Sequence, residues 1–268
     1  MRIGNVASCK YLGHRGKMVP STSPKEEAKM AKRNNRMFGG AGVVIRRPDR
    51  KGNDGNFTVV ETEHAEEVST LIFTLKDVFE GSLDYLNKYE FYGRLADAAN
   101  DQLRYGDDLD ALRRIIVGEA CEIAAEMGEH LYFAYGSNMD AAQMSRRCPK
   151  SICVGTAELR DHRFELDEAG VATVVNRHGS TVHGVLWLIS RTDERSLDGY
   201  EGVASGCYSK ATLPIIDGAG RALPSLVYVS NRDIHDGLTY RSGYMDNIIA
   251  NARRLGFDPK YIESLEAK

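Results

Sequence analysis

The sequence predicts an α+β fold, in which a mixed, strand-dominated sheet curls towards a β-barrel with flanking helices and follows a mainly helical N-terminal part. Two observations indicate this class. Apolar residues recur at helical spacing from residue 64 to 127, and short β-type runs take over from residue 131. A chain of 268 residues, 42% of them hydrophobic, can bury one large core or two small ones. We therefore expect two domains, residues 1–130 and residues 131–268.

The N-terminal segment predicts a helix and a β-hairpin. Glycines and prolines interrupt any period as far as Pro24. Ser23 as N-cap and Pro24 at the first helical position then predict a helix that runs to about Met37. Beyond a glycine-rich turn, residues 43–45 and 57–60 are typical of two strands joined by a hairpin loop.

The stretch from residue 64 to 127 predicts two or three packed helices. Its apolar side chains repeat at intervals of three and four, as the buried faces of helices do. These side chains are Val68, Leu71, Ile72, Leu75 and Phe79, then Leu109, Leu112, Ile115, Ile116, Ile123 and Met127. Residues 128–130 are the expected hinge into the second domain.

Seven β-type runs are expected in the C-terminal half. They cover residues 131–134, 152–159, 163–166, 171–175, 181–189, 208–216 and 222–229. Helices are expected at residues 139–147, 192–197, 244–255 and 259–266. Because few Asn-Gly type turns separate the runs, a mixed sheet that curls towards a barrel is favoured.

The net charge of -3 conceals a strong segregation along the chain. Residues 1–53 carry thirteen Lys/Arg and three Asp/Glu, whereas residues 54–130 carry six and eighteen. A basic arm beside an acidic region can simply fold onto it. We do not expect this arm to bind nucleic acid, since Tyr11 and Phe38 are its only aromatic residues for base stacking.

The composition favours a cytoplasmic protein without a membrane span. No run of eighteen apolar residues occurs, and the N-terminus lacks the pattern of a secretory signal. The five cysteines are scattered without a C-x-x-C pair, which indicates reduced thiols and neither a disulfide framework nor a zinc site. No His/Asp/Glu grouping has metal-ligand spacing, so we expect no metal and no other cofactor.

Residues 131–139 are the most informative segment, because an apolar strand runs directly into Gly-Ser-Asn and then an amphipathic helix. We expect Gly136 to turn the backbone tightly with a positive φ, and Ser137 or Asn138 to cap the helix. Several backbone N–H groups then point to one place where the helix dipole favours negative charge. On this pattern alone, an anion site and an ordinary strand-to-helix turn fit equally well.

The segment Tyr-Phe-Ala-Tyr-Gly-Ser-Asn-Met at residues 132–139 resembles the signature of the γ-glutamylcyclotransferase family, which includes AIG2-like proteins. Further blocks resemble that family in the same order. They are residues 147–149, 154–159, 170–175, 182–187, 197–203, 206–208 and 244–265. The resemblance covers about residues 131–266, and residues 1–130 lie outside it.

The resemblance implies a small barrel with flanking helices and an enzyme that converts a small γ-glutamyl amine or amino acid into 5-oxoproline and a free amine. In this reaction the γ-glutamyl acyl group is transferred to the α-amine of the same molecule. The amine is released without hydrolysis, as in a lyase reaction. Carried over residue by residue, the substrate-binding set is Tyr135, Gly136, Ser137, Asn138, Tyr208 and Tyr244, and the catalytic base is Glu201. Residues 237–243 depart from the Pro-Ser-Pro that the family often has, so leaving-group specificity does not carry over.

The chemistry agrees with this set of residues. The nucleophile is the substrate's own α-amine, which closes a five-membered ring onto the γ-carbonyl, so no enzymic Ser or Cys is required. The enzyme must supply a fixed substrate conformation, a base and donors for the oxyanion. Glu201 suits the role of base if partial burial raises its pKa from about 4.3 towards neutrality.

Two other functions stay open: the same cyclisation on a γ-glutamyl group carried by a larger acceptor, and a binding or regulatory protein without turnover. Glu201 favours an enzyme, since a binding pocket does not need a base. A thiol hydrolase built from Cys148 or Cys207 with His183 agrees poorly with the sequence, because nothing places a cysteine at a helix N-terminus beside a histidine. We expect His183 to be a core histidine.

Overall fold

The protein is described here by a computed structural model that covers residues 42–47, 56–83, 85–234 and 243–268. Within these ranges the chain divides into two compact units. One contains the described residues up to 76 together with 80–120, and the other contains 77–79 and 121–268. The helix predicted from Ser23 to about Met37 lies outside the described residues. The mainly helical character of residues 1–130, and their separation from residues 131–268 as a domain, stay predictions.

The first unit begins with the predicted hairpin, in which β1 (Gly42–Arg47) pairs antiparallel with β2 (Asn56–Glu61). The helices that follow are α1 (Ala65–Val78), α2 (Tyr85–Leu103) and α3 (Leu109–Met127), and the last residues of α1 and α3 belong to the second unit. Most of the apolar residues that predicted these helices are buried, including Val68, Leu71, Leu75, Leu112 and Ile116. Ile115 is an exception with 43% exposure, because it neighbours Ile116 and therefore lies on a different helix face.

The second unit is built on a closed β-barrel. Its strands are β3 (Leu131–Ala134), β4 (Ile152–Leu166), β5 (Ala172–Leu188), β6 (Tyr208–Ile216) and β7 (Ala222–Ser230). They are ordered β3-β5-β4-β6-β7, and the barrel closes where β3 pairs parallel with β7. The other strand pairs are antiparallel. The predicted mixed sheet that curls into a barrel is therefore confirmed.

The two longest strands each join two of the predicted runs. β4 and β5 pair along one continuous hairpin from Ile152 opposite Leu188 to Leu166 opposite Ala172. Polar, exposed residues around Asp161 break the hydrophobic pattern there, which is why the sequence predicts separate strands. The ladder absorbs this break as a register shift, with Asp161 at a φ of 57° and its carboxylate accepting from the N–H of Gly179 at 2.9 Å.

The flanking helices of this unit are α4 (Ala141–Arg147), α5 (Arg191–Tyr200), α6 (Tyr244–Arg254) and α7 (Pro259–Glu266). A capping box between Ser190 and Asp193 begins α5, whose end at Tyr200 lies three residues beyond the prediction. Proline at the first helical position and the Asp258 side chain begin α7 at the predicted residue. No helix among the described residues is long and apolar enough to cross a membrane.

Candidate active site

A pocket in the barrel unit brings together all seven residues that the sequence singled out. Its lining residues are Tyr132, Tyr135, Gly136, Ser137, Asn138, Ala172, Glu201, Tyr208, Tyr228 and Tyr244. They come from β3, the turn after it, the first residues of β5, β6 and α6, the residue that follows α5, and β7. Among these ten residues, five are tyrosines and Glu201 is the only carboxylic acid. The pocket therefore holds one acid in an aromatic setting.

The turn after β3 differs from the prediction at Gly136. Its φ is -113°, so the expected positive φ is wrong. A Cβ here would make a tight contact of 3.3 Å with the Cβ of Ala172 and an ordinary contact of 3.7 Å with the hydroxyl of Tyr244, so glycine keeps this side of the pocket open. A larger side chain at this position would fill the pocket.

The helix cap also differs from the prediction. Residues Ser137–Met139 form a 3-10 turn, and only after it does α4 begin, with the Asp140 carboxylate accepting from the N–H of Gln143 at 2.7 Å. Asp140 therefore caps α4, and the expected cap by Ser137 or Asn138 is wrong. The first N–H groups of such a turn have no acceptor within it. Ser137 and Asn138, the first two residues of this turn, line the pocket.

Glu201 is placed in the pocket by the end of α5. Its N–H donates to the carbonyl of Leu197 at 2.8 Å, and the helix stops there because Gly202 follows in the left-handed conformation with a φ of 65°. One oxygen of the carboxylate accepts from the side-chain N–H of Asn138 at 3.2 Å. Burial raises the pKa of Glu201, while the charge of Arg147 and the Asn138 hydrogen bond act in the opposite direction.

Two of the tyrosines bond to the backbone of a single residue, Ala172, at the start of β5. The hydroxyl of Tyr208 donates to the carbonyl of Ala172 at 2.6 Å, and the hydroxyl of Tyr244 accepts from the N–H of Ala172 at 3.0 Å. The hydroxyl of Tyr135 donates to the carbonyl of Tyr228 at 2.6 Å. Burial raises the pKa of Tyr135, Tyr208 and Tyr244, so all three stay protonated. Tyr135 and Tyr208 thus hold backbone in place, and Tyr244 keeps its hydroxyl proton.

The sequence assigned no role to several residues that shape this pocket. Tyr132 accepts from the side-chain N–H of Asn138 at 2.9 Å, and Tyr228 donates to the carboxylate of Asp198 at 2.7 Å. Arg147 donates to the side-chain oxygen of Asn138 at 2.8 Å. Tyr132 and Arg147 both lie in blocks that carry the family resemblance, which is the signal that points to them.

The alternative thiol chemistry gains no support from the geometry. Burial raises the pKa of Cys148 to about 12, and its thiol donates to the carbonyl of Asp193 at 3.7 Å. The ring of His183 packs against Tyr261 and Phe257, with centroids 4.7 and 5.5 Å away. In the parts of the chain that the structure describes, no group of three or more His, Cys, Asp or Glu is arranged to hold a metal ion.

Comparison with known proteins connects this geometry to a family. Residues 132–246 match the family model described as gamma-glutamyl cyclotransferase, AIG2-like. The gamma-glutamylcyclotransferase of Mus musculus is 28% identical over 155 residues, which are 54% of this chain and 81% of the mouse protein. That of Homo sapiens is 27% identical over 147 residues, 51% of this chain and 77% of its own. A solved structure named gamma-glutamyl cyclotransferase is 26% identical, with a TM-score of 0.47 over 51% of this chain and 86% of that one. The match to the family model identifies residues 132–246 as a γ-glutamylcyclotransferase, AIG2-like domain.

Proposed function

We propose that this domain is an enzyme that converts a γ-glutamyl amine or γ-glutamyl amino acid into 5-oxoproline and a free amine. One observation carries the proposal. The carboxyl of Glu201, whose pKa is raised by burial, lies in the same pocket as the backbone N–H groups of the turn after β3. This cyclisation needs a base, and an anion site for the α-carboxylate helps to fix the substrate conformation that it also needs.

Substrate binding begins with the α-carboxylate, which we assign to the N–H groups at the start of the Ser137–Met139 turn. Gly136 leaves room for the carboxylate to approach, because any side chain there would meet Ala172. The rings of Tyr135 and Tyr208 hold the glutamyl chain in a folded conformation. Tyr244 supplies a hydroxyl that can donate to the substrate, since its oxygen already accepts from the backbone.

Catalysis then needs three proton transfers, two of them through Glu201. Glu201 accepts a proton from the α-ammonium group, and the free amine attacks the γ-carbonyl carbon to form the ring C–N bond. Glu201 returns that proton to the leaving nitrogen, and the original amide C–N bond breaks. The ring nitrogen then gives up its second proton to the released amine, which leaves as an ammonium ion. Atoms and charge balance within the substrate and Glu201, and the pocket's donors stabilise the oxyanion.

The raised pKa of Glu201 suits both transfers. A carboxylate of ordinary pKa is a weak base towards an ammonium group, and a proton-transfer catalyst works best with a pKa near the working pH. Burial among tyrosines moves the pKa of Glu201 upward, in the direction that the reaction requires.

We also propose a cytoplasmic location and a small substrate, with the activity carried by residues 131–268. Four cysteines, Cys121, Cys148, Cys153 and Cys207, are free thiols, which agrees with a reducing compartment. All residues of the proposed mechanism lie between Tyr132 and Tyr244.

The test is an incubation of the full-length protein with a panel of γ-glutamyl amino acids and amines, with 5-oxoproline as the product measured. The matched control is each substrate with its α-amine acetylated. The acetylated compound keeps the amide and the carboxylate but has no free amine to attack. We expect 5-oxoproline from at least one free substrate and from none of the acetylated ones. Hydrolysis of the γ-amide, to glutamate from a free substrate or to N-acetylglutamate from an acetylated one, would contradict the mechanism.

A further inference from the structure

The side-chain amide of Asn138 makes four hydrogen bonds, although the residue is only 4% exposed. Its nitrogen donates to the hydroxyl of Tyr132 at 2.9 Å and to the carboxylate of Glu201 at 3.2 Å. Its oxygen accepts from the amide nitrogen of Gln143 at 3.0 Å and from the guanidinium of Arg147 at 2.8 Å. An amide group has two N–H donors and two lone pairs, so its hydrogen-bonding capacity is fully used.

Arg147 decides which way this amide points. A guanidinium has N–H groups and no acceptor, so the atom that faces it must be the oxygen of Asn138. A flipped amide would place its N–H groups against the guanidinium and its oxygen against Glu201, and both contacts would be repulsive. Gln143 cannot impose this orientation alone, because its own amide could flip as well.

Arg147 is itself fixed by contacts with α5. Its guanidinium lies over the ring of Tyr200, with Cζ 4.5 Å from the ring centroid, and its carbonyl accepts from the hydroxyl of Ser196 at 2.8 Å. Tyr200 directly precedes Glu201 and is 60% exposed. The last residue of α4 is therefore joined to the segment that carries the proposed base.

We propose that Arg147 is a positioning residue, which fixes the amide of Asn138 so that an N–H is aimed at the carboxylate of Glu201. Gln143 supports the same orientation. Arg147 does not line the pocket, and it acts on Glu201 through the amide of Asn138 and through its own charge. The catalytic consequence rests on the proposed function, whereas the coupling of Arg147 to Glu201 does not.

The same contacts predict how Glu201 titrates without Arg147. The ionisable groups that interact with Glu201 are Arg147, Tyr132, Tyr135, Cys148, Tyr208 and Tyr244. Burial raises the pKa of the four tyrosines and the cysteine, so they are neutral in the working pH range. Among the residues that the structure describes, Arg147 is thus the charged neighbour of Glu201, and its removal should raise the pKa of Glu201 further.

The experiment compares Arg147→Met with Arg146→Met in the full-length protein. Arg146 is the exposed neighbour on the same helix, so the control loses the same charge without touching Asn138. Two quantities are measured: the pKa of Glu201, from carbon-13 NMR of its carboxyl assigned with Glu201→Gln, and the pH profile of kcat/KM.

We expect Arg147→Met to raise the pKa of Glu201, to move the acid limb of kcat/KM to higher pH, and to lower kcat by about tenfold with less effect on KM. Arg146→Met should match the wild type in all of these. Arg147→Gln keeps a polar group at the half-buried site and replaces the methionine variant if that variant does not fold. It should shift the pKa of Glu201 and the acid limb of kcat/KM in the same direction.

An unchanged pKa of Glu201 in the Arg147 variants would overturn the inference, whether or not the protein is active. Equal shifts in the Arg147 and Arg146 variants would overturn it too, because they would show a general charge effect. If the pKa moves as expected while no γ-glutamyl substrate is turned over, the coupling stands and the proposed function fails.

Discussion

Gly184 of β5 packs closely against β3, the strand that leads into the pocket. A Cβ at this position would be 2.4 Å from the carbonyl oxygen of Ala134 and 2.6 Å from the ring of Phe133. Ordinary contact begins at 3.4 Å, so the added methyl would be 1.0 Å too close to the backbone oxygen. Phe133 is fully buried, and neither neighbour can move away freely. Gly184→Ala should therefore push β3 away from β5.

The expected cost of Gly184→Ala is about 3 kcal/mol of unfolding free energy, at the upper end for overpacking, because the contact is with backbone and a buried ring. The turn after β3 should move with the strand, and a 1 Å misplacement in a site can cost about 100-fold in rate. Trp187, the single tryptophan, lies in the same strand and is 3% exposed. Its fluorescence during urea unfolding reports the barrel directly.

Gly199→Ala is the matched control for this substitution. Gly199 lies in α5, and a Cβ there meets no atom within 4 Å. Its replacement should change the unfolding free energy by no more than about 1 kcal/mol, in the stabilising direction expected for alanine in a helix. A Gly184→Ala protein as stable as the wild type would refute the close packing of β3 on β5.

The remaining predictions concern the pocket. Because burial raises the pKa of Glu201, kcat/KM should fall as pH drops through a value above that of a free glutamic acid, which a pH profile measures. The native state binds that proton more tightly than the unfolded chain, so the contribution of Glu201 to stability falls as pH rises through its raised pKa. Glu201→Gln should therefore unfold at a higher urea concentration than the wild type at pH 8, and the difference should shrink towards pH 4. Gly136→Val should reduce substrate binding and turnover together by filling the pocket, whereas Ser137→Ala should be mild because the backbone donors remain; equal losses would assign the contact to the hydroxyl instead.

Local signals predicted most of the fold. Asp258 before Pro259 marks the start of α7, and the apolar run Leu131–Ala134 is β3 as the structure has it. The sequence could not predict that β4 and β5 are continuous, because the polar residues around Asp161 carry no hydrophobic signal, although the ladder resumes beyond them after a register shift. The alternation of apolar and polar residues detects strands that are buried on one face, so it does not detect exposed strand segments.

The sequence predicted which residues form the candidate site, but it did not predict the contacts between them. The family resemblance pointed to Gly136, but its need for glycine comes from the nearness of Ala172 and not from a positive φ. The role of Arg147 depends on how α4 lies beside α5, and residues distant in sequence create that arrangement. No spacing rule links Arg147 to Glu201, so this part required the structure.

The rate of 5-oxoproline release by Glu201→Gln tests the central claim most directly. The amide is nearly the same shape as the acid but cannot accept the ammonium proton, and losing a general base costs on the order of 10² to 10⁴ in rate. Glu194→Gln is the control, since Glu194 lies on the same helix and pairs with Lys210 outside the proposed machinery. With an active γ-glutamyl substrate, we expect the Glu201 variant to fold and to bind the substrate but scarcely to convert it. The rate of the Glu194 control should stay within about threefold of the wild-type rate. Turnover by Glu201→Gln within that same margin would contradict the account.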